Sequence, residues 1–321
     1  MSNTGRRGGC AWMVRLLVAI AATATIVPGA GAQRFFPGSP PLPGGDTTLV
    51  ITLGTGTPVP NPGRDGPATA VTVGGRVFLF DAGPGVMRKI AAAGLPIDGV
   101  TAAFISHLHS DHTLGLPDLI FSTWVMGRAS PLRLHGPPGL RRMTDHLLAA
   151  WSEDTVIRIT GLERGRPGGY RLDVRETASG VVYDSAGVTV TAIRVPHGDW
   201  AHALAWRIDT PARSVVISGD TRYSEALERA ATGVDVLVHE VYIAARVAPE
   251  SRPGGDLWPR YMKAFHTSDV ELGALASRAR PRLLVLSHVL FMGGTERELL
   301  DGIRRAGFRG AVTVANDLGR Y

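Results

Sequence analysis

The stretch FISHLHSDH, residues 104–112, places three histidines and an aspartate in its last six positions, directly after the apolar run from Val100 to Ile105. A strand running up to Ser106 turns residues two apart to the same side, so His107 and His109 reach one cation as the strand frays into a loop. Asp111 and His112 follow in the turn and aim at a second position a few ångströms away. A polar surface loop has no use for four potential ligands in six positions, whereas a metal centre does.

A two-metal site needs further ligands from elsewhere, and three apolar runs end in them. His197 closes VTVTAIRVPH (188–197), Asp220 closes SVVISGD (214–220), and His288 closes RLLVLSH (282–288). Each is a polar residue at the end of a strand-like segment, so three strands would bring ligands to one edge of the fold.

The rest of the chain supplies that fold. Residues 48–56, 68–75, 76–83, 100–106 and 131–136 read as strands, and 84–95, 112–127 and 141–151 as helices. In the second half, 188–197, 202–209, 214–220, 234–240, 282–288 and 311–317 read as strands, separated by helices at 224–231, 267–279 and 295–306. Strands come in runs with helices between them in both halves. That order predicts an α/β protein with two β-sheets faced together and helices outside.

Residues 1–32 read as a cleavable secretory signal: Arg6 and Arg7 precede an apolar stretch, and Ala30-Gly31-Ala32 offers the small residues of a cleavage site. Arg15 interrupts the apolar run, which falls short of the roughly 20 residues of a membrane span. The expected protein is therefore exported to the periplasm or the extracellular space, with no stable membrane anchor after cleavage. Residues 33–47, rich in Pro and Gly, read as a linker, and 48–321 as one hydrolase domain. The leader holds three of the 34 basic residues and none of the 28 acidic ones, which leaves the mature chain a net charge of about +3. The only cysteine, Cys10, leaves with it, so a metal must be held by histidine and carboxylate.

HLHSDH with these later ligands resembles the metallo-β-lactamase superfamily, most closely its branch of tRNase Z, zinc phosphodiesterases and arylsulfatases. LGTGTPVPNPGRDGPATAV, RVFLFDAGPG and LHGPPGL resemble its early motifs, and GDT (219–221), VHE (238–240), FHTS (265–268) and LSH (286–288) follow in the family's order. The resemblance implies a four-layer αββα sandwich with two facing mixed sheets. It assigns His107, His109 and His197 to one zinc ion and Asp111, His112 and His288 to a second, with Asp220 bridging. The two Zn2+ positions also suit Mn or Fe, since the donors are all nitrogen and oxygen. No organic cofactor is expected.

The chemistry that follows is hydrolysis: two cations deprotonate a shared water near neutral pH and polarise an ester oxygen. Asp111 would orient the nucleophile and accept its proton. His266 resembles the branch's proton donor to the leaving group, with Glu240 positioning it. Asp81 reads as a supporting residue, while His135, His146 and His202 read as surface or turn residues and His239 as buried without a catalytic role.

For the substrate, a small-molecule phosphodiester or aryl sulfate ester is expected. Only 23 positions separate His197 from Asp220, where many bacterial tRNase Z proteins insert a tRNA-gripping arm; with the leader and the low net charge, this argues against a nucleic acid. The alternatives are a tRNA 3′-processing endoribonuclease, a lactone or β-lactam hydrolase, and a non-catalytic metal-binding protein. The segments 161–187 and 241–265 are the expected rim of the cleft, with Trp200 and Arg222 as further lining residues. A homodimer, common in the family, is left open.

Overall fold

The computed structural model describes residues 47–321. The expected leader and all but the last residue of the linker lie outside the described residues. Among the described residues, no helix is long and apolar enough to cross a membrane.

Two seven-stranded sheets make the centre of the molecule. The first contains β1 (Thr48–Gly54), β2 (Ala68–Val73), β3 (Arg76–Phe80), β4 (Val100–Phe104), β5 (Leu132–Gly136) and β6 (Leu172–Glu176). The second contains β7 (Gly180–Ser185), β8 (Val188–His197), β9 (Trp200–Asp209), β10 (Ser214–Ile217), β11 (Val236–Tyr242), β12 (Leu283–Leu290) and β13 (Ala311–Val314). A short final strand, β14 (Gly319–Arg320), returns to the first sheet and pairs antiparallel with β1. The spatial orders are β14-β1-β2-β3-β4-β5-β6 and β13-β12-β11-β10-β9-β8-β7.

Side-chain alternation explains the layering. In β3, Phe78 and Phe80 point between the sheets, where they meet Phe104, Trp206, Ile208 and Val236; Val77 and Leu79 point the other way, onto a helix layer. In β12, Val285 faces the inter-sheet core while Leu284 and Leu286 face the second helix layer. Central strands buried on both faces read as continuous apolar runs. Truncating a fully buried aromatic of this layer to alanine costs about 3–5 kcal/mol.

The first half carries α1 (Val86–Ala92), α2 (Ser110–Thr113), α3 (Leu116–Val125), α4 (Leu140–Ala150) and α5 (Ser152–Thr160). Ile90, Leu119, Ile120 and Leu140 of this group seal the outer face of the first sheet. The second half carries α6 (Glu225–Ala230), α7 (Trp258–Phe265), α8 (Asp269–Ala279) and α9 (Glu296–Arg305), of which Leu227, Leu272, Leu275, Leu299 and Ile303 seal the second sheet. The start of α8 is set by a capping box, Ser268 with Glu271, and that of α9 by Thr295 with Glu298. Each such cap is worth about 1 kcal/mol. The architecture is the expected αββα sandwich.

β3, β4 and β5 run parallel in the first sheet, and β10, β11 and β12 in the second, joined by helical crossovers. Parallel strands leave their carboxyl ends on one edge, where an α/β fold places its ligands.

Some local expectations are corrected. Residues 161–187 do not form a loop around a cleft: β6 and β7 lie within them and occupy the far edges of the two sheets. The expected helix 112–127 is two helices, because the chain turns at Leu114 and Gly115 between α2 and α3. The short helices α5 and α7 form where no helix is expected, and the strand leading to Asp220 stops at Ile217.

Candidate metal centre

The ligand candidates converge at the carboxyl ends of these strands. His107 follows β4, His109 stands at the amino end of α2, and Asp111 and His112 lie within it. His197 is the last residue of β8, Asp220 follows β10, and His288 sits inside β12. They form two groups: His107, His109, His197 and Asp220, and Asp111, His112 and His288, with the donor atoms of each group within 4.8 Å of one another.

Asp220 lies between the groups, its Oδ2 3.9 Å from His107 Nε2 and 3.6 Å from His288 Nε2, its Oδ1 3.2 Å from His112 Nε2. Asp111 Oδ2 is 3.2 Å from His288 Nε2 and 3.5 Å from His112 Nε2. His109 Nδ1 is 2.9 Å from His107 Nε2 and 3.2 Å from His197 Nε2.

Backbone distortions aim two of these residues. His239 pairs with Leu286 and Val241 with Val289, so Glu240 faces two residues of β12, Ser287 and His288, across a bulge. His288 takes the left-handed conformation there, φ 48°. Such strain in a non-glycine residue persists where its surroundings hold it and is common at functional sites. Gly219, φ 56°, lets the chain bring Asp220 against the first sheet: a Cβ there would sit 2.7 Å from Leu204 O and 2.7 Å from Ser106 Cβ.

A surrounding layer fixes the rings. His112 Nδ1–H donates to Asp81 Oδ2 at 2.8 Å. His197 Nδ1–H donates to the Phe265 carbonyl at 2.7 Å. His107 Nδ1 meets Ser106 Oγ at 3.0 Å, and that hydroxyl donates to Asp81 Oδ2. Each bond leaves Nε2 facing the cluster, the orientation required of a metal ligand. His109 is turned the other way: the Trp200 indole donates to its Nε2 at 2.8 Å, and Nδ1 points inward.

The residues present fit a metal pair on two grounds. His112 Nε2 and Asp220 Oδ1 are buried and make no hydrogen bond, although they lie 3.2 Å apart; donors pointing past one another suit a shared cation. In addition, Asp81, Asp111, Asp220 and Glu240 are each no more than 6% exposed. Among the described residues, none of the four is paired with Lys or Arg; their ionic partners are histidines. Buried carboxylates on this scale need positive charge nearby. The same demand acts on His112: burial opposes its charging, yet Asp220 and Asp81 hold its pKa well above the ordinary histidine value.

His266 Nδ1 lies 3.3 Å from Glu240 Oε1 and 3.9 Å from Asp220 Oδ2. Burial disfavours a charged His266, but the Glu240 carboxylate outweighs it and raises the pKa. Glu240 is anchored in turn: its Oε1 accepts the Thr221 N–H at 3.2 Å and the Thr267 N–H at 3.1 Å. The structure thus brings together His266, Glu240 and all seven ligand candidates.

Above the cluster opens a cleft of about 980 Å³. His109, Asp111, Asp220 and His266 form its floor, and Arg64, Glu250, Arg252, Trp258 and Tyr261 stand on its walls. The expected rim at 241–265 is therefore present in part, whereas Trp200 and Arg222 do not line the cleft. Trp200 instead holds His109. Residues 55–64, absent from the expected rim, contribute much of the wall. His135 is not at the surface: it is 2% exposed and stacked on Phe104, ring centroids 5.0 Å apart.

A two-sheet sandwich with a histidine- and aspartate-built double centre at its strand ends defines a class of metal-dependent hydrolases. The sequence profile described as "Beta-lactamase superfamily domain" matches residues 76–289, and the chain belongs to the metallo-β-lactamase superfamily. A protein named ribonuclease Z from Mycobacterium bovis is 34% identical over 281 residues, covering 84% of this chain and 96% of its own. Among solved structures, the metallo-β-lactamase fold protein YhfI from Bacillus subtilis superposes with a TM-score of 0.65 at 18% identity, covering 85% of this chain and 98% of that one. The short form of human tRNase Z superposes at 0.63 with 22% identity, covering 85% and 98%.

These relatives overturn the expectation of a hydrolase of small phosphodiester or aryl sulfate esters, along with a small-molecule ester as partner. The mycobacterial relatives are named for action on RNA. The short interval between His197 and Asp220 does not decide the substrate. The interval is filled by β9 and β10, which leaves the metal centre and the open cleft unaltered. A low net charge weakens non-specific phosphate binding without bearing on the cleavage chemistry.

Proposed function

We propose that the protein is a metal-dependent endoribonuclease of the ribonuclease Z type, hydrolysing a phosphodiester of a 3′-extended tRNA precursor. The observation that carries this reading is 34% identity to ribonuclease Z over 84% of the chain. The geometry supports it: the paired ligand groups, the shared Asp220 and the His266–Glu240 pair all lie at the floor of one open cleft.

In this reading, His107, His109, His197 and Asp220 would hold one ion, and Asp111, His112 and His288 would hold the other. Zinc suits these donors, as do manganese and iron. Bound there, the ions supply Lewis-acid and water-activating chemistry. Asp111, with one oxygen toward His288, orients the attacking water and takes up its proton. His266 stands on the cleft floor with Glu240 beside its Nδ1 favouring the protonated ring, and would give its Nε2 proton to the leaving oxygen. Asp81 and Ser106 keep His107 and His112 from rotating.

The test is incubation of the zinc-loaded protein with a 3′-extended tRNA precursor. Release of the extension, abolished by chelation and restored by zinc, is the expected result. A protein carrying two ions per chain that leaves the precursor intact overturns the reading.

A further inference from the structure

Helix α7 carries an aromatic stack, none of whose rings is a ligand candidate. Trp258 and Tyr261 lie nearly parallel, 7° apart with centroids separated by 5.0 Å, and Tyr261 stacks on Phe265 at 4.2 Å. The spacing i, i+3, i+7 puts the three rings on one side of the helix. Arg252 extends the stack outward, its guanidinium carbon 5.2 Å from the Trp258 ring. Phe265 extends it inward, 5.0 Å from the ring of His197.

Such a stripe most often packs a helix onto a core. Here the buried residue of α7 is Met262, while Trp258 and Tyr261 remain partly exposed and line the cleft. Pro58, Val59, Pro60 and Phe291 line the same cleft, and Val59 is 70% exposed. The two guanidinium groups that reach it are already engaged. Arg64 donates to Thr55 Oγ1 and to the Ala315 carbonyl, both at 2.7 Å, and Arg252 donates to Glu250. Such walls favour a flat apolar group over an extra phosphate.

We propose that the Trp258–Tyr261 stack is a nucleobase-binding wall: an unpaired base beside the scissile phosphodiester packs against it while the phosphate lies at the metal centre. This rests on the reading of the protein as an RNA-cleaving enzyme. Arg252, Tyr261 and Phe265 cover the faces of the two rings, so a base lays its own π-face, whatever its identity, across the ring edges that line the cleft, and the wall selects a single-stranded segment rather than a sequence. Arg252 adds a second plane on which a base can lie.

The test compares the zinc-loaded wild type with Trp258→Ala, Tyr261→Ala and Trp258→Phe on a 3′-extended RNA. The same RNA is also used with an abasic residue at each nucleotide flanking the cleavage site in turn. Each alanine variant is expected to raise KM about tenfold with little change in kcat, with substantial recovery in Trp258→Phe. One abasic position should raise the wild-type KM as much, and should have no further effect on the alanine variants. Alanine variants that match the wild type, or that lose equally on intact and abasic RNA, overturn the proposal.

A second measurement does not depend on cleavage. Tryptophan emission of the metal-free full chain is titrated with oligouridylate and with an abasic oligomer. Base-dependent quenching, absent in Trp258→Phe, is expected; equal quenching by both oligomers overturns the wall. If the zinc-loaded protein leaves RNA uncut, the ribonuclease reading fails separately, and this titration still decides whether a base reaches Trp258.

Discussion

Asp81 and His112, 31 residues apart in sequence, meet at 2.8 Å, and the same carboxylate receives both the N–H and the hydroxyl of Ser106. Asp81 takes a left-handed conformation, φ 58°, to do so. Supporting carboxylates of this kind are worth about 10–100-fold in metal affinity or activity. Asp81→Ala is therefore expected to weaken zinc binding by about that factor in a competition titration with a chromogenic chelator. Asp81→Asn should recover only part of the loss, because an amide nitrogen cannot accept. Unchanged affinity in the alanine variant would mean that His112 is oriented by something else.

Asp220 and His266 share the cleft floor at 3.9 Å but hold different roles in the proposed mechanism. Asp220→Ala should lose bound metal, as measured by elemental analysis of the purified protein, because both ligand groups draw on it. His266→Ala should keep two ions per chain while kcat falls about 10²–10⁴-fold, the usual range for a lost general acid. A His266→Ala protein that arrives without metal would show that this histidine is a ligand rather than an acid.

How far the sequence could be read follows from the range of the interactions involved. His107, His109, Asp111 and His112 were legible because their spacing along one strand-to-helix turn is local. His197 is legible because it ends an apolar run, whereas His288 interrupts one inside β12, and the bulge that turns it inward depends on Glu240 in the neighbouring strand. His135 was misread because its burial depends on β5 lying between β4 and β6, with Phe104 beneath it. The rim at 55–64 was missed for a related reason: Asp317, at the other end of the chain, accepts the N–H groups of Thr55 and Asp65 and holds that loop in place. The expectation of a small-molecule substrate fails against the ribonuclease Z relatives because an inserted arm between two ligands is one way among several to hold RNA.

Chelation should lower thermal stability, because Asp81, Asp111, Asp220 and Glu240 are buried without Lys or Arg partners among the described residues. An ion present at 100 times its Kd stabilises the fold by about 2.7 kcal/mol. For a chain of this size that corresponds to a drop of about 4 °C in Tm on removal of one ion. Differential scanning calorimetry before and after chelation, with zinc added back, measures it. Asp220→Asn should respond less to zinc than the wild type, since both ligand groups draw on that carboxylate. A wild-type Tm indifferent to chelation would contradict the electrostatic account.

His135 couples the fold to pH away from the metal centre. Burial, aided by the nearby Arg175 charge, lowers its pKa to about 4, against an ordinary value of about 6.5. The neutral ring is thus preferred in the folded state, and the unfolded chain binds the proton more readily. The resulting stability is fully present above about pH 6.5 and is lost as the pH falls toward 4. His135→Phe keeps an aromatic ring stacked on Phe104 but cannot titrate. Urea unfolding of both proteins should show the wild type losing up to about 3 kcal/mol relative to the variant between pH 7 and pH 4. Parallel stability profiles over that interval would mean that His135 charges in the folded protein as easily as in the unfolded chain, and that its burial between the sheets leaves it open to water.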